Sequence, residues 1–249
     1  MGAFAAALAF WPGLAIGSFL NVVAARVPIG RSVVHPSSAC MDCGTELAWY
    51  DNIPVVSWLL LRGRCRSCGT RIAVRYPLLE LVTALLVAGC FWRFGLSADA
   101  VVASFVCIVL VAISAIDIEH RIIPNKIVLP AAAIVLAANT ILHPSPVWAI
   151  AAFGAAGFLF AAALAYPKGM GMGDVKLALL MGAACGRTVP VAMMIGMFSA
   201  LVPGLYLLAR HGQAARKMGI PFGPFLALGT VVALFAGHEI LAAYWSLST

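Results

Sequence analysis

The chain has 249 residues, of which 63% are hydrophobic and 10% are charged, and its mean hydropathy is +1.02. Soluble domains carry about a quarter charged and about half apolar residues, so this composition excludes an ordinary soluble domain and indicates a polytopic membrane protein. The net charge of +7 would also suit nucleic-acid binding, but in a membrane protein basic residues first report topology, and no nucleic-acid partner is expected. No cleavable signal peptide is expected either, because residues 1–4 lack a basic residue.

Eight apolar stretches predict an all-α fold with about eight transmembrane helices. They cover about residues 3–25, 78–94, 99–116, 126–142, 147–166, 175–190, 189–209 and 222–243. The sixth and seventh stretches meet in a tight turn near Gly186-Arg187-Thr188. If the N-terminus is outside, the loops that face the cytoplasm are 26–77, 117–125, 167–174 and 210–221.

The distribution of basic residues supports this orientation. The cytoplasmic loops and the adjoining helix ends hold 14 of the 16 Lys and Arg residues, and only Arg93 and Arg187 lie outside. The 14 are Arg26, Arg31, Arg62, Arg64, Arg66, Arg71, Arg75, Arg121, Lys126, Lys168, Lys176, Arg210, Arg216 and Lys217. The positive-inside rule therefore favours both the eight spans and an outside N-terminus.

Polar residues occur inside the first two spans. Ser18 and Asn21 are three residues apart and share one face of the first helix. Such groups usually bond a neighbouring helix, and a functional role is the alternative. Glu80, just inside the second span, is either a functional residue or the partner of a nearby arginine.

The loop 26–77 contains two Cys-x-x-Cys units separated by 21 residues, each followed by a glycine. Four thiolates in this arrangement can close a tetrahedral zinc site, so we predict a small zinc-ribbon-like insertion after the first helix. Two disulfides are the alternative, which the reducing cytosol disfavours. Zinc would also stabilise a segment with little apolar content. The predicted ligands are Cys40, Cys43, Cys65 and Cys68, whereas Cys90, Cys107 and Cys185 read as ordinary small hydrophobic residues in spans.

Asp117 ends the third apolar span. It could be a simple interfacial anchor, but a carboxylate at a helix C-terminus meets the negative end of the helix dipole, which weakens that interpretation. Glu119 lies on another side of the helix, and His120 could share the face of Asp117. Pro124 then prevents the helix from continuing.

Asp174 follows the glycine-rich run Gly169-Met170-Gly171-Met172-Gly173 and precedes an apolar helix. A helix N-cap is the alternative explanation for an aspartate at this place. However, the sixth span of about 16 residues rises only about 24 Å against about 30 Å of hydrocarbon. Asp174 is therefore expected in a water-accessible recess at the membrane surface, where Lys176 is close enough to influence its charge.

The predicted topology places Asp117 and Asp174 at the same depth on the cytoplasmic side. Two close carboxylates share one proton more readily than both ionise. The ionised one can draw a proton from water while the protonated one donates to a scissile carbonyl, which is aspartyl peptidase chemistry without a covalent intermediate or a catalytic metal. A non-enzymatic ion or metal transporter is the alternative, although its charges would be expected near the midplane, within inverted repeats.

Six motifs in a fixed order give the chain a resemblance over nearly its whole length to the type IV prepilin peptidases, membrane aspartyl proteases of the Gly-x-Gly-Asp class. The motifs are Gly17-Ser18-Phe19-Leu20-Asn21-Val22-Val23, the paired Cys-x-x-Cys loop, Tyr76-Pro77-Leu78-Leu79-Glu80, Asp117 before Ile123-Pro124, Gly171-Met172-Gly173-Asp174-Val175-Lys176 and Pro221-Phe222-Gly223-Pro224-Phe225-Leu226-Ala227.

The resemblance implies catalytic Asp117 and Asp174 and a multi-pass protein of the bacterial inner membrane. It implies as substrates the prepilins and type II secretion pseudopilins, cut after a glycine at the end of a basic leader. It also implies N-methylation of the new terminus by S-adenosylmethionine, with a peptidase lacking that activity as the alternative; no residues are assigned to the methyl donor. For the basic leader, candidate acids are Glu80, Glu119 and Asp51.

The predicted organisation has three parts. They are a first transmembrane helix at 1–25, a cytoplasmic Cys-rich zinc-binding loop at 26–77 and a helical peptidase domain in the lipid bilayer at 78–249.

Overall fold

A computed structural model of the chain describes residues 2–166, 170–212 and 219–248. Within these ranges the fold is almost entirely helical, and two isolated antiparallel bridges are its only strand-like pairings. The predicted cytoplasmic residues Lys168, Arg216 and Lys217, and Gly169 of the glycine-rich run, lie outside the described residues. The chain divides into two compact units, Met1–Ala115 and Ile116–Thr249.

The first unit is built on a close pair of long helices, α1 (Gly2–Arg26) and α3 (Arg75–Phe94). Between them lie a 3₁₀ turn, Trp49–Asn52, and a short helix, α2 (Val56–Leu60). The pair is antiparallel, and its glycines let the backbones touch: a Cβ at Gly17 would lie 2.6 Å from the Cα of Glu80. Small residues at such contacts are how membrane helices approach closely. The next helix, α4 (Ala98–His120), begins in this unit and ends in the second.

The second unit contains five more long helices: α5 (Asn125–Leu142), α6 (Val147–Ala165), α7 (Met172–Cys185), α8 (Val189–His211) and α9 (Gly223–Ser248). Helix α7 is central. It packs on α6, where Gly182 leaves no room for a Cβ against the Ala151 backbone. It also packs on α5, where Asn139 Nδ2 donates to the carbonyl of Ala183 at 2.8 Å.

Seven helical stretches of the described chain are long and apolar enough to cross a membrane. One of them, Met172–His211, comprises 40 residues and contains both α7 and α8. A 3₁₀ turn at Gly186–Thr188, with Gly186 at φ +53°, separates the two helices. All eight predicted apolar stretches are therefore helical, and the predicted tight turn at Gly186-Arg187-Thr188 is confirmed.

The chain reverses at this turn. Helix α9 is antiparallel to α8, since Gly237 packs on Thr188 and Gly229 packs on Ala192. Helix α9 runs in the direction of α7, with the carbonyl of Thr230 3.9 Å from the Sγ of Cys185. With only 14 residues, α7 rises about 21 Å, less than the hydrocarbon thickness of about 30 Å. The polytopic all-α fold is confirmed, and the outside N-terminus stays a prediction.

Candidate active site

Asp117 occupies the last turn of α4 and is only 6% exposed. The helix ends there because Arg121 adopts a left-handed conformation, with φ +54°, while its N–H still donates to the carbonyl of Asp117 at 2.9 Å. A non-glycine residue in this conformation is unusual, and Pro124 prevents any further helical turn. The backbone therefore fixes the end of α4 one turn beyond the carboxylate.

The carboxylate of Asp117 is oriented by the start of α9. The N–H of Gly223 donates to Asp117 Oδ2 at 2.9 Å, in a buried position. A Cβ at residue 223 would lie 2.8 Å from the same oxygen, closer than real Cβ contacts. Only glycine lets this backbone donor approach. The segment 219–227 is rich in glycine and proline, but the sequence does not reveal that the backbone of this segment serves Asp117.

Asp174 lies in the first turn of α7 and is half-buried. Its Oδ2 accepts the N–H of Gly171, the N-cap residue, at 3.2 Å. Asp174 is therefore not the N-cap itself; it is an acid in the third helical position that reaches back to the cap, as in a capping box. Gly173 allows the close approach of this turn to Ile123, 3.0 Å from where its Cβ would be.

Both predicted aspartates lie in the second unit, near enough to each other for the charge of Asp117 to act on Asp174. Asp117 also interacts electrostatically with the guanidinium of Arg121. Among the described residues each carboxylate receives one backbone N–H, in both cases on Oδ2. One oxygen of each acid is thus committed to positioning, and the other is left for water or substrate.

Three polar residues close in sequence to the two aspartates, Glu119, His120 and Lys176, contact partners other than the aspartates. Glu119 and His120 are next to each other, with His120 Nε2 3.9 Å from a Glu119 oxygen. Lys176 donates from its Nζ to Asn125 Oδ1 at 2.7 Å. Lys176 therefore links the starts of α7 and α5, a role that the sequence did not suggest.

The four predicted zinc ligands also converge, in the first unit. The Sγ atoms of Cys40, Cys43, Cys65 and Cys68 all lie within 4.8 Å of one another. A tetrahedral site with Zn–S bonds of about 2.3 Å requires sulfur–sulfur distances of about 3.8 Å. The distance between Cys40 Sγ and Cys68 Sγ is 3.8 Å, so the donor set and its spacing fit a structural zinc ion.

The two Cys-x-x-Cys turns are copies of each other, which explains the convergence. In the first, Cys40 N–H bonds the carbonyl of Thr45; in the second, Cys65 N–H bonds that of Thr70. The bridges Ala39–Glu46 and Arg64–Arg71 repeat with the same offset. Each turn closes on a glycine with positive φ: Gly44 at +71° and Gly69 at +74°. We call residues 38–47 and 63–72 the two knuckles.

The local chemistry of the first knuckle favours a thiolate at Cys43. The Thr45 hydroxyl lies 3.3 Å from Cys43 Sγ. Hydrogen bonds from the Thr45 hydroxyl and backbone, together with the neighbouring thiols, lower the pKa of the Cys43 thiol to about 6, whereas the pKa of Cys40 is raised to about 11. Because the thiolate is the metal-binding form, this contact agrees with a role for Cys43 as a ligand.

The polar residues of the first two spans have structural partners. Asn21 Nδ2 donates to the carbonyl of Tyr76 at 3.2 Å, so it joins α1 to α3. Glu80 is 7% exposed and accepts the N–H of Val55 at 2.7 Å. Asp51, one of the acids considered for a basic leader, is held by Arg66 at 2.7 Å.

A cavity of about 340 Å³ lies beside α1 in the first unit. Its polar lining comes from Ser18, Arg26, Ser37, Ser38 and Asn52, and its apolar lining includes Phe19. The size is in the range of small-molecule sites.

Two family models match the chain. Residues 12–94 match the bacterial peptidase A24 N-terminal domain, and residues 104–205 match the type IV leader peptidase family. The first match falls within the unit that holds the knuckles, and the second contains both Asp117 and Asp174.

Curated relatives match over most of their length. The prepilin leader peptidase/N-methyltransferase of Bacillus subtilis (strain 168) is 36% identical over 240 residues, which cover 93% of this chain and 94% of the relative. The protein of the same name from Myxococcus xanthus is 40% identical over 87% of this chain and 67% of its own length. The protein of the same name from Pseudomonas aeruginosa is 36% identical over 93% of this chain and 90% of its own length. No solved structure matches the chain.

Proposed function

This chain belongs to the type IV leader peptidase family, and we propose that it cleaves the leader peptide of type IV prepilins or type II secretion pseudopilins and then N-methylates the new N-terminal residue. The observation that best supports the cleavage is that Asp117 and Asp174 lie near enough for their charges to interact. These acids lie on different helices, α4 and α7, so neither helix alone brings them near each other.

In the proposed mechanism the two carboxylates share one proton. The ionised carboxylate removes a proton from a water molecule, which attacks the scissile carbonyl carbon. The protonated carboxylic acid donates its hydrogen bond to the carbonyl oxygen as negative charge develops there. The C–N bond then breaks, and the leaving amine takes up a proton from the dyad. Gly223 N–H and Gly171 N–H hold the two acids in position throughout.

The membrane supplies the substrate geometry. We propose that the enzyme is a multi-pass protein of the bacterial inner membrane with its N-terminus outside, so that Asp117 and Asp174 face the cytoplasm. The short α7 supports this, because its first turn would then lie below the membrane surface, where the leader of a membrane-inserted pilin helix meets its apolar segment.

We propose further that residues 26–77 form a cytoplasmic zinc-binding insertion, between a first helix at 1–25 and the peptidase helices at 78–249. The zinc ion, held by Cys40, Cys43, Cys65 and Cys68, would act structurally by tying the two knuckles together. For the methylation we propose S-adenosylmethionine, which supplies a methyl group bound to a sulfonium sulfur.

Cleavage of a prepilin by the full-length enzyme in membranes tests the proposal. Replacement of either acid, in Asp117→Asn or Asp174→Asn, is expected to lower the cleavage rate by a factor of at least about 10² to 10⁴, the usual contribution of an acid–base group. Glu239→Gln is the matched control, because Glu239 lies on α9 far along the helix from Gly223. It should cleave normally.

Methylation is measured separately by supplying already cleaved, unmethylated pilin and following the gain of one methyl group by mass spectrometry. The two aspartate variants should still methylate this product. If both aspartate variants cleave a prepilin completely, the peptidase mechanism is refuted. The alternative of a non-enzymatic ion or metal transporter would then be favoured.

A further inference from the structure

The chain between the two knuckles exposes an apolar surface. We call residues 49–61 the inter-knuckle segment; it contains the 3₁₀ turn and α2. Its exposed large apolar side chains are Trp49 (81%), Tyr50, Ile53, Val56, Leu59 and Leu60 (78%), and the polar Asn52 is exposed among them. A contiguous group of large apolar side chains on a surface marks an interaction site, because soluble surfaces rarely carry one.

The arrangement of α2 shows that this exposure is organised. Val56, Leu59 and Leu60 stand at positions i, i+3 and i+4 and share one helical face. That face is the exposed one, while Ser57, on the other side, is buried and donates its hydroxyl to the carbonyl of Tyr50 at 2.7 Å. The usual amphipathic pattern is inverted: the apolar face is turned outward and the polar residue inward.

Two anchors fix the segment in this orientation. Trp58 packs on Gly63 and donates its indole N–H to the carbonyl of Ile72 at 3.1 Å, which ties α2 to the second knuckle. Val55 forms a γ-turn with positive φ, at +60°, with Val56 N–H donating to the carbonyl of Pro54. This conformation is strained for a β-branched residue. It is held by the bond from Val55 N–H to Glu80 at 2.7 Å.

The Glu80 anchor also sets the depth of the segment. Helix α3 is a candidate span, Arg75–Phe94, of 20 residues, which rise about 30 Å, the thickness of the hydrocarbon core. Glu80 is in its second turn, about 7.5 Å from the start of the helix. Because Val55 is bonded to Glu80, the inter-knuckle segment lies level with the end of a membrane-spanning helix rather than far out in water.

The chemistry of the surface matches the interface of a bilayer. Trp and Tyr are the side chains that concentrate at headgroup level, and leucines insert just below it. Exposed arginines, Arg62 and Arg64, follow the apolar residues directly, and loop 26–77 has seven arginines against three acids. Basic residues next to an apolar surface are attracted to anionic phospholipid headgroups.

We propose that the inter-knuckle segment is a membrane-interface anchor, which inserts Trp49, Leu59 and Leu60 into the headgroup region of the bilayer while the first knuckle stays in the water above it. The occupant of the apolar surface is thus phospholipid. This inference is independent of the peptidase chemistry.

Photo-crosslinking tests the anchor. The full-length zinc-loaded protein is reconstituted in vesicles of phosphatidylethanolamine and phosphatidylglycerol that contain a phospholipid with a diazirine near the headgroup, and labelled residues are mapped by mass spectrometry. Label is expected in residues 49–61 and not in the first knuckle. The double variant Leu59→Asp/Leu60→Asp should lose about tenfold of the label, because the apolar surface that gains from leaving water is gone.

Met41→Asp is the matched control. Met41 is 92% exposed at the tip of the first knuckle, so the same acid there should leave the label in 49–61 unchanged. Zinc content confirms that each variant is folded. The proposal is overturned if 49–61 and the first knuckle label equally. Absence of label from 49–61 also overturns it, and a crosslink from a photoreactive prepilin to 49–61 would then show that the surface binds peptide.

Discussion

The four cysteines and the two aspartates illustrate opposite ways to build a site. Each knuckle closes its own hydrogen bonds within ten residues, and the second repeats the first with the same offsets. By contrast, Asp117, Asp174 and Gly223 belong to three helices, α4, α7 and α9, and meet only through helix packing. The first site is encoded locally, and the second depends on contacts between distant parts of the chain.

This difference predicts different failures. A change in a knuckle should unfold the loop and leave the aspartates in place, because the knuckle bonds are internal to it. A change in the helix contacts should disorganise the aspartates while the zinc remains bound. The following variants separate the two.

Loss of the metal should have the largest effect. Structural zinc binding contributes about 10–16 kcal/mol to small zinc domains, more than a loop such as 26–77 can replace by packing. The double variant Cys43→Ser/Cys68→Ser is therefore expected to bind no zinc and to be cut by trypsin within 26–77 far faster than the wild type. Metal analysis and peptide mapping of the purified protein measure both effects.

A cysteine outside the knuckles provides the control. Cys90 is buried between α3 and α4, 3.8 Å from the Sγ of Cys107, and Cys90→Ala should keep its zinc and its resistance to trypsin. Disulfide-bonded, zinc-free wild-type protein would contradict the metal site altogether.

Gly223→Ala should have the next largest effect, confined to cleavage. The added Cβ would lie 2.8 Å from Asp117 Oδ2, so either the carboxylate or the start of α9 must shift. A displacement of about 1 Å in a catalytic group can cost about 10²-fold in rate. Prepilin cleavage by the variant in membranes should fall by about that factor, with zinc content unchanged.

Gly154→Ala on α6 is the matched substitution, because a Cβ at Gly154 meets nothing within 4 Å. It should cleave at the wild-type rate. If Gly223→Ala also cleaves normally, the backbone donor of α9 does not position Asp117.

The sequence predicts the features that depend on nearby residues or on repeated motifs. The Cys-x-x-Cys-Gly spacing identified all four members of the cysteine cluster, and the apolar stretches identified every long helix. The turn at Gly186–Thr188 was predictable because an apolar run too long for one span contains a glycine at its middle.

The sequence did not predict contacts that depend on tertiary packing. The bond from Gly223 to Asp117 requires α9 to begin beside the end of α4. The bond from Val55 to Glu80 requires a strained turn that no propensity favours. The sequence predicts a loop 26–77 with little apolar content, whereas its inter-knuckle segment exposes large apolar side chains such as Trp49, Leu59 and Leu60. Its inverted pattern is hidden in sequence, because periodicity cannot tell which face is buried.

Glu80→Ala should have an intermediate effect, confined to the first unit. It leaves the N–H of Val55 without its acceptor, which costs about 1–3 kcal/mol for a buried donor. Trypsin should then cut after Arg62 faster than in the wild type, while zinc stays bound. Val55→Gly should act in the opposite direction, because glycine avoids the cost of about 1–2 kcal/mol for positive φ.

Glu46→Ala controls for the loss of an acid. Glu46 is exposed in the first knuckle, and its replacement should not change the trypsin rate. Equal rates for Glu80→Ala and the wild type would mean that the knuckles hold the inter-knuckle segment without Glu80.

The smallest effect is expected at Lys176. If its ammonium controlled the charge of Asp174, Lys176→Met would move the pH dependence of cleavage. The ammonium instead bonds Asn125 Oδ1 at 2.7 Å, an exposed contact worth about 0.5–1.5 kcal/mol. We therefore expect cleavage within about tenfold of the wild type and an unchanged pH profile. The cleavage rate of Asn125→Ala should fall as little as that of Lys176→Met. The double variant should be no slower than either single variant, because both substitutions remove the same hydrogen bond. A shifted pH profile in Lys176→Met alone would instead place Lys176 among the groups that set the charge of the dyad.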